Sequence, residues 1–268
     1  MSYHVTIENP DTPNFRFIIG LPPPKVKEIL ENDSSAINLA RAIVAKYEVI
    51  NKETYRHIGG HKMFLDFESP DPSMRGIYHD YALHGEYEPH TTKLIESNVK
   101  EGDVCLDVGA SVGYFTLLLA RKAKKVYAIE ATKNQIPTLK KNIEVNGYTN
   151  VEIINKGAWD KEEIISVNGN AVGRDNIEAI ALDSVIKEPI DFIKMDIDGS
   201  EPKALKGMEE LIKNSPNLKM VIEYYPKYIE RLGLNPKDMT DFLDKYFIYS
   251  RIEGEYSDEC YNLYCERK

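Results

Sequence analysis

The run Asp107-Val-Gly-Ala-Ser-Val-Gly-Tyr-Phe-Thr116 constrains the fold of this chain more than any other segment. It begins inside Val104–Val108, a mostly apolar stretch that predicts a buried strand, and it leads into a helical pattern over residues 114–122. Glycines at positions 109 and 113 let the backbone turn sharply and approach a ligand closely. A glycine turn between a buried strand and a helix is typical of the ligand-binding edge of an open α/β sheet.

Apolar strand-like segments alternate with helix-like segments from residue 104 onward. After the first strand, the pattern predicts strands over 126–129, 151–154, 190–195 and 220–222. It also predicts helices over 114–122 and 134–146, and one through residues 205–212. The tail predicts an antiparallel hairpin of strands 246–252 and 261–265 around Gly254. This alternation indicates βαβ units and a mostly parallel sheet with right-handed crossovers.

The first 95 residues follow a less regular pattern. Pro22-Pro23-Pro24 interrupts the chain, and a helix is predicted over residues 25–50. Two extended pieces, 55–58 and 62–67, flank Gly59-Gly60 and favour a hairpin. We therefore predict an N-terminal extension over 1–95 and a ligand-binding α/β domain over 96–268. The extension is expected to be a lid, a substrate wall or an oligomer contact, for example in a homodimer.

The amino-acid composition limits the kinds of molecule and compartment that suit this protein. The chain has 43 acidic and 34 basic residues and a net charge of −9, which disfavours nucleic acid as a partner. Its apolar runs fall short of the roughly 20 residues of a membrane span, and no secretory signal is visible at the N-terminus. Its 3 cysteines have no metal-ligand spacing and are typical of a reducing compartment, so we predict a cytoplasmic protein and no metal site.

The sequence of the glycine loop favours one class of ligand over others. A dinucleotide fingerprint counted from Gly109 would need glycines where Ser111 and Tyr114 stand, and no P-loop lysine follows. Asp107 would repel a pyrophosphate but suits a cationic ligand such as S-adenosylmethionine. Glu130, 23 residues further on, ends the second strand and could accept both hydroxyls of a ribose. The alternative is an incidental glycine turn beside two solvated acids.

Three motifs in order resemble those of the FkbM-type methyltransferases, a branch of the class I fold that uses S-adenosylmethionine. They are the 107–116 run, Glu130-Ala131, and Asp191-Phe-Ile-Lys-Met-Asp-Ile-Asp-Gly-Ser-Glu201. The family usually has Glu where Asp198 stands, whereas Leu205 and Gly207 match its pattern. Tyr87-Glu88-Pro89 is similar to a short family segment. The resemblance covers roughly residues 80–225 and implies a seven-stranded sheet with an antiparallel last strand.

The resemblance also implies the cofactor contacts. The glycine loop would enclose the methionine part, Glu130 the ribose, and the segment after the third strand the adenine. Trp159 could stack there or fill a hydrophobic gap, and Glu88 could reach the cofactor's ammonium or cap a helix. The expected cofactor-binding residues are Glu88, Asp107, Gly109, Ala110, Ser111, Gly113, Tyr114, Glu130, Ala131, Gly157, Ala158, Trp159 and Asp196.

The acceptor side is expected at the ends of the fourth and fifth strands. Asp196 and Glu201 are the candidate catalytic residues, because neighbouring carboxylates raise one another's pKa and make one a better base. The same cluster could instead hold a magnesium or calcium ion, or Asp198 could cap a helix. Candidates for substrate binding are Glu223 and two histidines, His79 and His84.

These features predict a methyltransferase that acts on a hydroxyl of a small molecule or glycan. The chain lacks the Asn-Pro-Pro-Tyr or Asp-Pro-Pro-Tyr motif that marks amino-nitrogen methylation. Two alternatives stay open: an RNA methyltransferase of the same fold, and a binding module without catalytic activity.

Overall fold

A computed structural model describes residues 3–8, 16–21, 47–50, 53–65, 77, 86–169, 173–254 and 259–268 of the chain. Contacts between residues divide the chain into two compact units, Met1–His57 and Ile58–Lys268. The second unit therefore begins within the predicted N-terminal extension, and the domain boundary near residue 95 stays a prediction.

The first unit contains antiparallel strand pairs. Strand β1 (Tyr3–Glu8) pairs with β2 (Arg16–Leu21), and β3 (Tyr47–Ile50) pairs with β4 (Glu53–Ile58). The helix predicted over 25–50 is wrong at its end, because residues 47–50 form β3. Aromatic and β-branched residues dominate those four positions, and they favour an extended chain. The earlier part of that prediction lies outside the described residues.

Strand β5 (His61–Phe64) follows a tight turn at Gly59-Gly60, where both glycines have positive φ values of 56° and 82°. The sequence predicted these extended pieces, with β4 beginning two residues earlier than expected. Helix α1 (Pro89–Asn98) was not predicted, and its Pro89 stands in the first turn, where a missing N–H costs nothing.

A seven-stranded sheet forms the centre of the second unit, with helices between most of its strands. The elements are β6 (Val104–Val108), α2 (Tyr114–Ala120), β7 (Lys125–Ile129), α3 (Ile136–Val145), β8 (Val151–Ile154), β9 (Gly157–Ala158), β10 (Glu163–Gly169), β11 (Gly173–Ile180), α4 (Leu182–Val185), β12 (Phe192–Met195), α5 (Glu201–Lys206), α6 (Glu209–Lys213), β13 (Lys219–Tyr224), α7 (Pro226–Arg231), α8 (Pro236–Tyr246), β14 (Phe247–Arg251) and β15 (Tyr261–Arg267).

The strand order in this sheet is β14-β15-β13-β12-β6-β7-β8. Strands β13, β12, β6, β7 and β8 are parallel, while β15 is antiparallel to both β13 and β14. This arrangement confirms the predicted class I methyltransferase sheet. The chain winds outward in both directions from β6 and β12, so a crevice opens at the carboxyl ends of these two strands.

The helix predicted through residues 205–212 is two short helices, α5 and α6, which meet at Gly207-Met208. A Cβ atom on Gly207 would lie 1.8 Å from the carbonyl oxygen of Trp159, so the backbones of the two segments touch there. The sequence also missed α7, α8 and the small sheet of β9, β10 and β11. In the part of the chain that the structure describes, no helix combines the length and apolar character of a membrane span.

Candidate active site

The glycine loop between β6 and α2 is fixed on both sides. The N–H groups of Gly109 and Ala110 both donate to the carbonyl of Ile129, at 2.9 and 3.0 Å, which ties the loop to the end of β7. Gly109 has a φ of 90°, and a Cβ atom there would lie 1.9 Å from the carbonyl oxygen of Asp196. Only glycine fits this position, because the loop touches the backbone that follows β12.

Glu130 is oriented by two backbone donors. The Ser111 N–H donates to its Oε2 at 2.7 Å, and the Thr132 N–H donates to its Oε1 at 2.6 Å. Ser111 reaches this position with a φ of 49°, in the left-handed region. A carboxylate oxygen can accept more than one hydrogen bond, and these two backbone donors set the orientation of the Glu130 carboxylate. The Ser111 hydroxyl oxygen is buried and has no hydrogen-bond partner among the described residues.

Asp107 lies in the interior, 1% exposed, at the end of β6. Its Oδ2 accepts a hydrogen bond of 2.5 Å from the hydroxyl of Thr116 in α2. Burial raises the pKa of Asp107 to about 6, although the Thr116 hydroxyl and the Lys194 ammonium both lower it. Because this pKa lies below 7, Asp107 is mostly ionised at neutral pH.

Two other expected cofactor residues, Tyr114 and Glu88, contact neighbouring side chains in the structure. The hydroxyl of Tyr114 lies 3.1 Å from that of Thr92, and its ring packs edge-on against Tyr87. Glu88 is 2% exposed and precedes α1 with a φ of 42°. The side-chain amide of Asn262 donates to Glu88 Oε2 at 3.0 Å. Glu88 is thus held between α1 and β15.

Lys194 is a functional candidate that the sequence did not reveal. It is 1% exposed in the middle of β12, where its register partner on β6 is Asp107. Its ammonium lies 3.4 Å from Asp196 Oδ2, 3.9 Å from Glu88 Oε2 and 4.9 Å from the centre of the Phe115 ring. Burial by itself would lower the pKa of Lys194, but the surrounding carboxylates outweigh it and raise this pKa. A lysine within an apolar strand pattern was the available signal.

The two expected catalytic carboxylates, Asp196 and Glu201, lie with the expected substrate-binding Glu223 at the carboxyl ends of β12 and β13. Asp196 is half-buried, whereas Glu201 and Glu223 are 1% and 8% exposed. Glu201 Oε1 accepts from the Ile197 N–H at 2.9 Å, so this side chain folds back over the turn through Gly199. Burial raises the pKa of Glu201 to about 7. Burial and the Asp196 charge raise that of Glu223 to about 9.

The segment after β8 brings the expected adenine-side residues next to Glu130. The side-chain amide of Asn155 donates to the Glu130 carbonyl at 2.7 Å and to that of Ala131 at 3.3 Å. Gly157 and Ala158 form β9, which pairs with β11. The indole N–H of Trp159 donates to Glu163 at 2.5 Å, and Lys203 lies over the ring. Trp159 is thus held by Glu163 and Lys203, and its place beside the adenine stays a prediction.

His79 and His84 lie outside the described residues. Across the residues with described side chains, no three His, Cys, Asp or Glu side chains converge closely enough to hold a metal ion. A groove of about 460 Å³ lies at the opposite end of the strands, where Asp103, Asp191 and Lys219 line it. Since β6, β12 and β13 present their amino ends there, this groove is separate from the glycine loop.

Comparison with known proteins points to one enzyme class. The protein-family model for the methyltransferase FkbM domain matches residues 107–250 of this chain. An uncharacterized protein of Methanocaldococcus jannaschii is 43% identical over 76 residues, which are 28% of this chain and 29% of that protein. An uncharacterized RNA methyltransferase of Oceanobacillus iheyensis is 34% identical over 137 residues, 48% of this chain and 27% of that protein. The chain thus spans less than a third of the length of both relatives.

Among solved structures, this chain is similar to the FkbM methyltransferase of Methylobacillus flagellatus. The two chains are 19% identical, with a TM-score of 0.49 over 75% of this chain and 56% of the other.

Proposed function

Because this chain belongs to the family of methyltransferases with an FkbM domain, we propose that it transfers a methyl group from S-adenosylmethionine to a hydroxyl oxygen. The observation that carries the proposal is the orientation of Glu130. Backbone N–H groups of Ser111 and Thr132 fix its carboxylate beside the glycine loop. A carboxylate held this way is prepared to accept the two hydroxyls of a ribose.

The other residues of the loop suit the rest of the cofactor. The buried Ser111 hydroxyl lacks a partner and would hydrogen-bond the methionine part. The negative charge of Asp107 would attract the ammonium group, and Asn155 would line the adenine side. When bound, the cofactor would supply an electrophilic methyl group on a sulfonium.

On the acceptor side, Asp196 is the group best placed to take a proton. It stands at the end of β12 and is more exposed than Glu201 or Glu223, so an acceptor hydroxyl can reach its oxygens. The Lys194 ammonium at 3.4 Å holds this carboxylate in place. Glu223, protonated at neutral pH, would donate a hydrogen bond to an acceptor oxygen. Glu201 keeps the turn after β12 closed by accepting from the Ile197 N–H.

We propose a small molecule or a glycan as the acceptor. The acceptor side contributes carboxyl groups and a single buried lysine, and the chain's net charge of −9 repels a phosphate backbone. RNA is the second candidate, and the observation that favours it is the 34% identity over 137 residues to a protein named an RNA methyltransferase. We expect the protein to act in the cytoplasm.

The proposal is tested by calorimetry with S-adenosylmethionine and its demethylated product. The wild type should bind both, Asp107→Ala should lose binding by at least about 100-fold, and Asp196→Ala should bind normally. Asp196→Ala should lose methyl transfer by roughly 10²–10⁴-fold, the usual contribution of a general base. A folded wild type that binds neither compound would overturn the proposal. Binding without turnover on any acceptor would favour the non-catalytic module.

The acceptor class is tested with a methyl-labelled cofactor. Label should enter a fraction of small hydroxylated molecules or glycans and should be lost with Asp196→Ala. Label that enters RNA instead, and that also depends on Asp196, would establish the second candidate.

A further inference from the structure

Asn142 of α3 and Asn146, the residue that follows this helix, bind β5 as a neighbouring strand would. Asn142 accepts from the Phe64 N–H at 2.7 Å and donates to the Phe64 carbonyl at 3.2 Å. One helical turn later, Asn146 accepts from the Lys62 N–H at 3.0 Å and donates to the Lys62 carbonyl at 2.7 Å. The two amides therefore satisfy alternate backbone positions along the edge of β5.

Asn142 differs from Asn146 by one further contact. Its amide also donates to the carbonyl of Val112, within the glycine loop, at 2.8 Å, and its side chain is fully buried. The amide of Asn146 makes its further contact inside α3, with the Asn142 carbonyl at 2.8 Å. Of these two asparagines, Asn142 is the one that links β5 to the loop.

The peptide between Val112 and Gly113 needs this support. Gly113 has a φ of 100°, and glycine adopts either sign of φ with little cost, so local sterics do not fix the orientation of this peptide. The Asn142 amide holds its carbonyl end, while the Gly113 N–H donates to Ala110 at 2.8 Å. Leu139, on the same face of α3, lies beneath the glycine, because a Cβ atom on Gly113 would be 2.7 Å from its Cδ1.

We propose that Asn142 is a positioning residue for cofactor binding, which transmits the docking of β5 to the conformation of the glycine loop. The proposal rests on the proposed function, since it assumes that this loop binds the cofactor. It gives the segment before the catalytic sheet a specific role: β5 stabilises the cofactor-binding form of the loop through one buried amide. The contact of Gly59 with Tyr114, where an added Cβ would lie 3.1 Å from the hydroxyl, supports α2 from the same segment.

The test uses the full chain and a matched pair of variants, Asn142→Leu and Asn146→Leu. Leucine keeps the shape of asparagine and removes the amide, so each variant loses two hydrogen bonds to β5 and one other bond. Both should lower the melting temperature. Only Asn142→Leu should weaken binding of S-adenosylhomocysteine, by roughly tenfold, because a buried carbonyl in the loop loses its donor. Asn146→Leu should bind within about twofold of the wild type.

Hydrogen exchange provides a readout that does not require the cofactor. The amides of residues 109–113 should exchange faster in Asn142→Leu than in Asn146→Leu when both are compared at equal global stability. If Asn142→Leu does not fold, Asn142→Asp is the second variant, because it keeps the acceptor for Phe64 and should give the same loss. Equal binding and equal exchange in the two variants would overturn the proposal. A wild type that does not bind the cofactor product would overturn the proposed function instead, and the exchange comparison would still decide whether Asn142 positions the loop.

Discussion

The two halves of the candidate site hold their carboxylates in different ways. On the cofactor side, neutral donors fix each acid: the Thr116 hydroxyl holds Asp107, and two backbone N–H groups hold Glu130. On the acceptor side, burial and the neighbouring Asp196 and Glu201 carboxylates raise the pKa of Glu223 to about 9, although a hydrogen bond of 3.3 Å from the Cys260 thiol lowers it. Hydrogen bonds thus define geometry in the first half, and burial together with charge repulsion sets protonation in the second.

Lys194 is the group that connects the two halves. It is the register partner of Asp107, and its ammonium also reaches Asp196 and Glu88. The buried positive charge of Lys194 offsets negative charges in both halves. The binding half can therefore keep a fixed geometry while the protonation of the acceptor half varies. The charge balance of the two halves therefore depends on Lys194 more than on any single carboxylate.

The largest expected effect comes from Lys194→Met. Removal of a fully buried cation leaves its acidic partners without a counter-charge, and such changes cost about 3–5 kcal/mol of unfolding free energy. Urea unfolding at pH 7 measures this loss. The control is Lys219→Met on the neighbouring strand β13, where a lysine about one third exposed pairs with Glu266. That variant should lose at most about 1 kcal/mol. If the two variants lose equal amounts of unfolding free energy, the buried charge of Lys194 does not stabilise the two halves of the site.

The sequence predicted the binding half better than the acceptor half. Strand β6, the glycine loop and Glu130 are consecutive or separated by one βα unit, so local patterns reveal them. The acceptor half depends on contacts between distant segments. Glu223 accepts a hydrogen bond from the distant Cys260, and no periodicity encodes such a pair. The two helices α5 and α6 were predicted as one, because the contact of Gly207 with Trp159 that separates them is not local.

The second prediction concerns protonation of the acceptor half. Burial and the Asp196 charge raise the pKa of Glu223 to about 9, above its ordinary value of 4.5. The folded protein then binds a proton that the unfolded chain lacks between these two pH values, so Glu223 costs stability as the pH rises through this window. Glu223→Gln cannot lose that proton. Its stability relative to the wild type should increase by at least about 1.4 kcal/mol between pH 5 and pH 8.

Urea unfolding at several pH values measures this difference, and Glu209→Gln is the control. Hydrogen bonds from Tyr246 and Lys245 lower the pKa of Glu209 to about 2, so its folded and unfolded values both lie below pH 5. The stability difference of that variant should stay constant from pH 5 to pH 8. A constant difference for Glu223→Gln as well would mean that Glu223 is ionised in the folded protein.

The smallest expected effect comes from Thr116→Val. This variant tests whether a neutral hydrogen-bond donor keeps Asp107 in the binding half ionised. Thr116→Val keeps the shape of a fully buried side chain and removes the hydroxyl that donates to Asp107. Since that hydrogen bond favours the ionised form, the pKa of Asp107 should rise further above its present value of about 6. If Asp107 must be ionised to bind an ammonium, binding of S-adenosylhomocysteine should weaken by about fivefold at pH 7, roughly 1 kcal/mol, and recover toward pH 8. Thr92→Val is the matched control, because its buried hydroxyl contacts Tyr114 instead of a carboxylate. If the pH midpoint of binding is unchanged in Thr116→Val, the Thr116 hydroxyl does not set the charge of Asp107. The backbone donors alone would then preorganise this half.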